Sequence, residues 1–155
     1  MAISTQRDRS ILKLMRDALA ATNQFDQVLT TGDPEQAGAS ADAARFASFE
    51  IHTFKEVDDY DDDGATPQIR TVHFTLYVIT RNEDPDTRDD ECDRLVQVAS
   101  NAISGQSFGG ATFPNLTRLG TGKYKPVTGS ERRCEVAGVF AYLIDNYDAH
   151  NTDPL

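Results

Sequence analysis

The apolar positions near the start of this chain recur at steps of three and four residues, which is the spacing of one face of a helix. The pattern predicts an amphipathic helix from Thr5 to about Thr22. Thr5 is expected to cap its start, Asp8 to lie in the first turn where the helix dipole favours negative charge, and Asn23 to follow its end. The apolar positions are Ile11, Leu12, Leu14, Met15, Ala18 and Leu19.

Two later stretches, Phe46 to Val57 and Gln68 to Thr80, alternate apolar and polar residues and therefore predict strands. A turn centred between residues 62 and 63 would bring the apolar side chains of the two strands opposite one another. The apolar pairs in this register are Phe49 with Leu76 and Ile51 with Phe74. The agreement of the two apolar faces predicts a β-hairpin.

A second helix is predicted to begin at Asp84 and Pro85, a capping residue followed by a first-turn proline, and to continue as far as Gly105. Its first turns are acidic, and its apolar stripe includes Cys92. Cys134 falls on the inward parity of the last predicted strand, so both cysteines are expected to be buried free thiols. The stripe consists of Cys92, Leu95, Val96, Ala99, Ala102 and Ile103.

The remaining segments are less regular. A short strand is predicted at Phe25 to Leu29, a mobile loop at Thr31 to Arg45, and a central strand at Arg133 to Ile144. The glycine-rich stretch from Gly105 to Gly129 has room for strands only in short pieces, around Leu116 to Leu119 and Gly122 to Lys125. The order α-β-β-β-α-β-β predicts an α+β fold in which two helices pack on one face of a mainly antiparallel sheet.

Length and composition narrow the class of protein. At 155 residues the chain fits one domain, with a core from about residue 5 to 145 and a flexible tail at 146–155. Two cysteines exclude a disulfide-dense scaffold, and no apolar stretch approaches the roughly 20 residues that span a bilayer. A formal net charge of −10 makes nucleic acid an unlikely partner and favours a protein partner.

An acidic run between the two hairpin strands matches the first half of a calcium loop, through Asp59, Asp61, Asp63 and Gly64. The match fails at the twelfth position, where Arg70 stands in place of a bidentate carboxylate, and the flanks are strands instead of helices. The sequence therefore favours a solvated acidic tip over a cation site, and implies no cofactor.

Two histidines offer a second candidate for chemistry. In the hairpin register His52 faces His73, away from Phe49 and Phe74, and Glu50 is the nearest further ligand. Transition metals usually take three or four protein ligands, and no motif for nucleophilic catalysis accompanies the pair. This cluster is the basis of the least favoured interpretation, a small α+β enzyme.

A third candidate is a contact between copies. The acidic tip could meet the locally basic segment of a neighbouring copy, and such head-to-tail contacts close into rings when repeated. The tip comprises Asp58, Asp59, Asp61, Asp62 and Asp63, and the basic segment comprises Arg118, Lys123, Lys125, Arg132 and Arg133.

The order of these elements, with the capping, proline and glycine residues that separate them, resembles that of the tail terminators of long-tailed bacteriophages and prophages, the minor tail proteins of the U type. The resemblance runs from about Gln6 to Asp145. It rests on the first helix, the long hairpin, the helix capped at Asp84-Pro85, the glycine-rich connection and the last strand ending in Tyr142-Leu143-Ile144.

The resemblance implies a non-enzymatic structural protein that assembles as a ring, hexameric in that family. Such a ring ends tail-tube growth and joins the tail to the head. Its partners would be further copies of itself, tail-tube proteins and head-completion proteins. It would occur in the cytoplasm during assembly and then in the virion or a tail-like particle. The alternative is a free-standing acidic adaptor domain that binds a basic protein one-to-one.

Overall fold

The computed structural model describes residues 2–30, 43–57, 68–108 and 117–144, which form two helices and five strands. The predicted α+β class and element order are confirmed. In chain order the elements are α1 (Ala2–Ala20), β1 (Gln27–Leu29), β2 (Arg45–Val57), β3 (Gln68–Arg81), α2 (Pro85–Ile103), β4 (Arg118–Tyr124) and β5 (Glu131–Ile144).

The five strands form one sheet in the order β1-β2-β3-β5-β4. β1 pairs with β2 in parallel, and every other neighbouring pair is antiparallel. The predicted hairpin register is confirmed as far as Ile51, because Phe49 lies opposite Leu76 and Ile51 opposite Phe74, and the pairing shifts by one residue beyond that point. β5 lies between β3 and β4, as expected of a central strand.

The first helix begins earlier than the pattern predicts. α1 starts at Ala2, so Thr5 lies inside the helix and does not cap it, and Asp8 lies beyond the first turn. Neither glycine nor proline precedes Thr5, so nothing in the sequence stops the helix from extending toward the N-terminus. At the other end Asn23 takes a left-handed conformation with φ of 57°, which is typical of the residue that terminates a helix.

The second helix matches its prediction closely. The Asp84 carboxylate accepts hydrogen bonds from the Thr87 backbone N–H at 2.9 Å and from the Thr87 hydroxyl at 2.5 Å, and Pro85 begins the helix. The predicted stripe faces inward, with Cys92, Leu95, Ala99 and Ile103 buried. Arg88 is also buried.

Both helices pack on one face of the sheet, where a row of aromatic rings crosses from β2 to β5. Ring centroids lie 6.0 Å apart between Phe49 and Phe74 and 5.9 Å apart between Phe74 and Phe140. The Phe74 ring lies directly over Gly138, where a Cβ atom would stand only 2.2 Å from the ring. Glycine is therefore the residue that lets the central strands pack under this ring.

In the described part of the glycine-rich connection, residues 105–108 and 117–129, there is one strand instead of two short pieces. β4 runs from Arg118 to Tyr124, and its pairing with β5 shifts register between Leu119 and Gly122. The irregularity lets a single strand continue past the glycines that predicted a break. None of the helices in the described part of the chain is long and apolar enough to cross a membrane.

Candidate interaction surface

The face of the sheet opposite the helices is the most distinctive surface of this molecule. Among the described residues no helix covers it. Two arginine guanidinium groups lie over aromatic rings there, Arg81 at 4.5 Å from the Phe46 centroid and Arg133 at 4.8 Å from the Tyr77 centroid. These stacks occupy the part of the face where β2 begins and β3 ends, beside a small cluster formed by Ala43, Phe46 and Ile79.

The other part of this face carries short side chains. The outward-facing positions of β5 are Ala137, which is exposed, and Val139 and Ala141, which are half-buried. Their partners on β3 are Thr75, His73 and Thr71. We call these six residues, together with the adjoining outward-facing Arg118 and Lys123 of β4, the bare face. Its β5 positions carry no polar side chain, which is unusual for the solvent-facing side of an antiparallel sheet.

The sheet divides the predicted basic segment between its two faces. Arg118 lies opposite Val139 and Lys123 opposite Glu135, so both belong to the face without helices. Lys125 and Arg133 lie on the same side, each 3.7 Å from a Glu135 carboxylate oxygen. Of these four basic residues, Arg118 and Lys123 form no ion pair with any residue that the structure describes.

Arg132, the remaining basic residue, faces the helix layer. Its guanidinium lies 5.0 Å from the centroid of the Tyr124 ring, and its Nε lies 3.9 Å from Asp89. The Tyr124 hydroxyl donates a 2.5 Å hydrogen bond to Asp93 on α2. Burial, and then this bond to a carboxylate, raise the pKa of Tyr124. These contacts dock β4 against α2.

The outer side of α2 is acidic. Asp86 and Asp90 are exposed, and neither forms an ion pair with a described residue. Other carboxylates of this helix have local partners: the hydrogen bond from Arg88 lowers the pKa of Asp89, and those from Arg94 lower the pKa of Glu91. The free negative charge on the outer side therefore concentrates at Asp86 and Asp90.

The histidine prediction was wrong in its register. The pairing of β2 with β3 shifts between Ile51 and Thr53, so Thr53, and not His52, lies opposite His73. This bulge follows from one extra residue in β2 at His52. The His52 ring contacts the Thr75 hydroxyl and lies 3.8 Å from Glu50.

Glu50 is occupied by a neighbour across the strand, because its Oε1 accepts a 3.0 Å hydrogen bond from the Tyr77 hydroxyl. His73 is exposed on the bare face. Within the described residues, no three side chains of the types that bind metals come close enough together to hold an ion.

Both cysteines are buried free thiols, as predicted. Burial raises the pKa of Cys92 to about 12, with a further contribution from the nearby Cys134. Burial also raises the pKa of Cys134 to about 11. Because the thiolate is the reactive form, neither sulfur is activated as a nucleophile.

Sequence reasoning missed a buried ion pair. The Asp8 carboxylate on α1 receives hydrogen bonds from Arg70 Nη2 at 2.7 Å, from Arg70 Nε at 3.1 Å and from the Tyr142 hydroxyl at 2.7 Å. Arg70 and Tyr142 face each other across β3 and β5, so both reach the same carboxylate. A signal existed in the sequence: Asp8 precedes Ile11 and Met15 by three and seven residues, on the apolar stripe.

Several predicted features lie outside the described residues. They are the acidic tip from Asp58 to Asp63, including the calcium candidates Asp59, Asp61 and Asp63, most of the loop from Thr31 to Arg45, and the tail at 146–155. Arg70, the twelfth position of the partial calcium motif, is described and is the partner of Asp8.

The comparisons with known proteins bear on the fold. The sequence matches no family model and no curated protein. Among solved structures, a chain from the virion of a native gene transfer agent particle is similar, with a TM-score of 0.51 and 15% sequence identity. The similarity covers 75% of this chain and 78% of that chain. This protein therefore shares its fold with a component of a virion particle.

Proposed function

We propose that this protein is a structural component of a phage or prophage tail, a terminator that forms a ring, ends tail-tube growth and joins the tail to the head. The observation that carries the proposal is the fold shared with a chain of a gene transfer agent virion over 75% of this sequence. The element order that resembles the tail terminators is also the order found in the structure.

The surface supports assembly with other proteins over catalysis. The polar groups on the face without helices hold one another. Tyr77 of β3 donates to Glu50 across the strand pair, and Arg133 lies near Glu135 two positions along β5. The bare face beside them carries short side chains and the cations Arg118 and Lys123. A sheet surface of short side chains with unpaired charge suits contact with a protein better than binding of a small substrate, which usually needs a concave pocket.

In this proposal the basic residues of the segment from Arg118 to Arg133 contribute to contacts between copies. The acidic tip at Asp58 to Asp63 is a proposed contact arm, and tail-tube and head-completion proteins are the further partners. The protein would act in the cytoplasm during assembly and remain in the finished virion or tail-like particle.

The experiment that tests the ring is the native mass by light scattering over a wide range of protein concentration, with negative-stain microscopy of the same samples. We expect a rise toward six subunits and closed rings in the images. A monomer at every concentration would contradict the proposal. Repeating the series with calcium and with magnesium tests Asp59, Asp61 and Asp63 as a cation site. A native mass that depends on the added cation would support that site.

An acidic adaptor domain is the second candidate, and the unpaired carboxylates Asp86 and Asp90 on the outer side of α2 favour it. An adaptor would stay monomeric alone and bind a basic protein one-to-one. The same mass series therefore separates the two functions.

A further inference from the structure

The unpaired charges of the described residues include two pairs of opposite sign on opposite layers of the molecule. Arg118 and Lys123 lie on the face of the sheet without helices, and Asp86 and Asp90 lie on the outer side of α2. None of the four forms an ion pair with another described residue. Charged groups that the fold leaves unpaired on separate surfaces are available to pair between molecules.

We propose that the bare face of one copy receives the outer side of α2 from a second copy, with Asp86 and Asp90 against Arg118 and Lys123. This inference rests on the proposed ring and names the two surfaces that would build it. The partner of the bare face in this proposal is a second copy of the chain, because the chain itself carries the complementary charge.

The side chains can bring the two pairs of charges together. Arg118 and Lys123 lie opposite Val139 and Glu135, four positions apart on β5, which corresponds to about 13 Å along a strand. Asp86 and Asp90 lie four residues apart on α2, which corresponds to about 6 Å along the helix axis. The long side chains of Arg118 and Lys123 can converge on the two carboxylates across this difference.

The part of the bare face between the two cations and β3 allows a helix to pack closely against the sheet. Ala137, Val139 and Ala141 extend only short side chains from β5, so a helix could approach the sheet closely. The apolar side chains would supply contact area, and the charges would fix orientation.

Charge also selects a head-to-tail contact over a symmetric one. Two bare faces brought together would juxtapose Arg118 and Lys123 with their own counterparts, and two α2 helices would juxtapose carboxylates. Like charges across an interface are unfavourable, whereas the contact between unlike surfaces pairs opposite charges. Contacts between unlike surfaces generate closed rings when the rotation between copies closes.

A reciprocal charge reversal tests the inference. One variant combines Arg118→Glu with Lys123→Glu, and the other combines Asp86→Lys with Asp90→Lys. Each variant alone should associate at least about tenfold more weakly than the native protein, because every contact then brings like charges together. A one-to-one mixture should regain assembly, since every contact between unlike variants is again between opposite charges. The readout is the concentration at half-assembly, by light scattering.

A matched control reverses two cations elsewhere. Arg9→Glu with Lys13→Glu changes exposed residues of α1 and alters the net charge as much as the bare-face variant does. This control should assemble like the native protein. Circular dichroism spectra of all variants check that they fold, and recovery in the mixture shows directly that both partners are competent.

The outcomes separate the inference from the function on which it rests. Native assembly with a mixture no better than its components would overturn the α2 contact and leave the ring intact. An α2 variant that assembles like the native protein would also overturn it, and would leave the acidic tip as the other candidate arm. A native protein that stays monomeric would overturn both proposals.

Discussion

At the scale of single residues, the buried carboxylate of Asp8 links helix α1 to strands β3 and β5. Its side chain is 2% exposed and that of Arg70 is 0% exposed, so both charges are removed from water. Their mutual attraction, together with the bond from the Tyr142 hydroxyl, offsets the desolvation of two ions. The contact fixes α1 against the strand pair at one defined position.

We expect Arg70→Met to destabilise the protein by about 3–5 kcal/mol, because it leaves the Asp8 charge buried without its partner. The double variant Asp8→Leu with Arg70→Met removes both charges and should lose less stability than Arg70→Met alone. Urea unfolding followed by circular dichroism measures both.

The exposed Asp17→Asn is the control for this comparison. Asp17 pairs with Arg16 at the surface, with 64% of its side chain exposed, and the change should stay within about 0.5 kcal/mol. If the double variant were as unstable as Arg70→Met, or more unstable, the unpaired charge of Asp8 would not be the reason for the loss.

The sequence indicated that both charges of this ion pair lie at inward-facing positions, but not that they meet. Asp8 lies on the apolar stripe of α1, and Arg70 shares the inward parity of Val72 and Phe74. A charge at an inward position requires a partner. Which charge meets which could not be derived, because the contact joins residues 62 positions apart and depends on how the helix crosses the sheet.

At the scale of elements, the short strand β1 is joined to β2 by the side chain of Asp26. The Asp26 carboxylate accepts hydrogen bonds from the backbone N–H groups of Ala44 at 3.1 Å and Arg45 at 3.0 Å, and from the Arg45 guanidinium at 3.1 Å. The hydrogen bond from the Arg45 side chain is the main reason that the pKa of Asp26 lies below 3.8. This link adds to the backbone pairing that places the three-residue strand in the sheet.

The lowered pKa of Asp26 sets the direction of a pH dependence. A carboxylate whose pKa is lower in the folded state contributes stability above its unfolded pKa, near 3.8, and loses it as the pH falls through the folded value. Asp26→Asn keeps the shape and removes the charge. The native protein should therefore exceed this variant in stability at pH 7, and the gap should shrink at pH 3.

Urea unfolding at the two pH values measures the gap, and Asp90→Asn, an exposed carboxylate without an ion pair to a described residue, provides the control. A gap for Asp26→Asn that is the same at pH 7 and pH 3 would show that the negative charge does not hold β1 in place.

Elements were predictable where the pattern was local. The hairpin register followed from two apolar faces that had to coincide, and α2 followed from Asp84, Pro85 and its stripe. The bulge at His52 was not predictable. The residues on either side of one extra residue still alternate between apolar and polar, so the sequence is compatible both with a register that includes the bulge and with one that does not. The same limit applies to β4. The sequence predicts a break between two short strands there, and the structure has one strand with a register irregularity between Leu119 and Gly122.

At the scale of the whole molecule, one core joins both helices to the sheet. Met15 of α1, Leu95 of α2 and Leu76 of β3 belong to the same buried cluster, and so do both thiols. The candidate surface was less predictable than this core. The basic segment is contiguous in sequence, but alternation along β5 sends Arg132 to one face and Arg133 to the other.

The shared core predicts that the two thiols become reactive together. Cys92 lies on α2 and Cys134 on β5, and both are fully buried with raised pKa values of about 12 and about 11. Alkylation at pH 8 should therefore require the core to open. If the molecule unfolds as one unit, both thiols should react at the rate set by global unfolding.

Gly138→Ala provides the perturbation. The added Cβ would stand between 2.2 and 2.6 Å from three atoms of the Phe74 ring, and that ring is held between Phe49 and Phe140. Overpacking of this kind destabilises by about 1–3 kcal/mol. Under equilibrium opening, this raises the labelling rate of both thiols by the same factor, about 5- to 150-fold.

Gly120→Ala is the matched control, because its Cβ would meet only the Ala137 carbonyl oxygen at 3.5 Å, an ordinary contact. Its labelling rates should stay near those of the native protein. Mass spectrometry of proteolytic fragments resolves the two cysteines. Equal acceleration at both sites in Gly138→Ala would establish one cooperative unit. Acceleration at Cys92 alone would instead show that α2 leaves the sheet while β5 stays folded, and the helix layer and the sheet would then be separate units of stability.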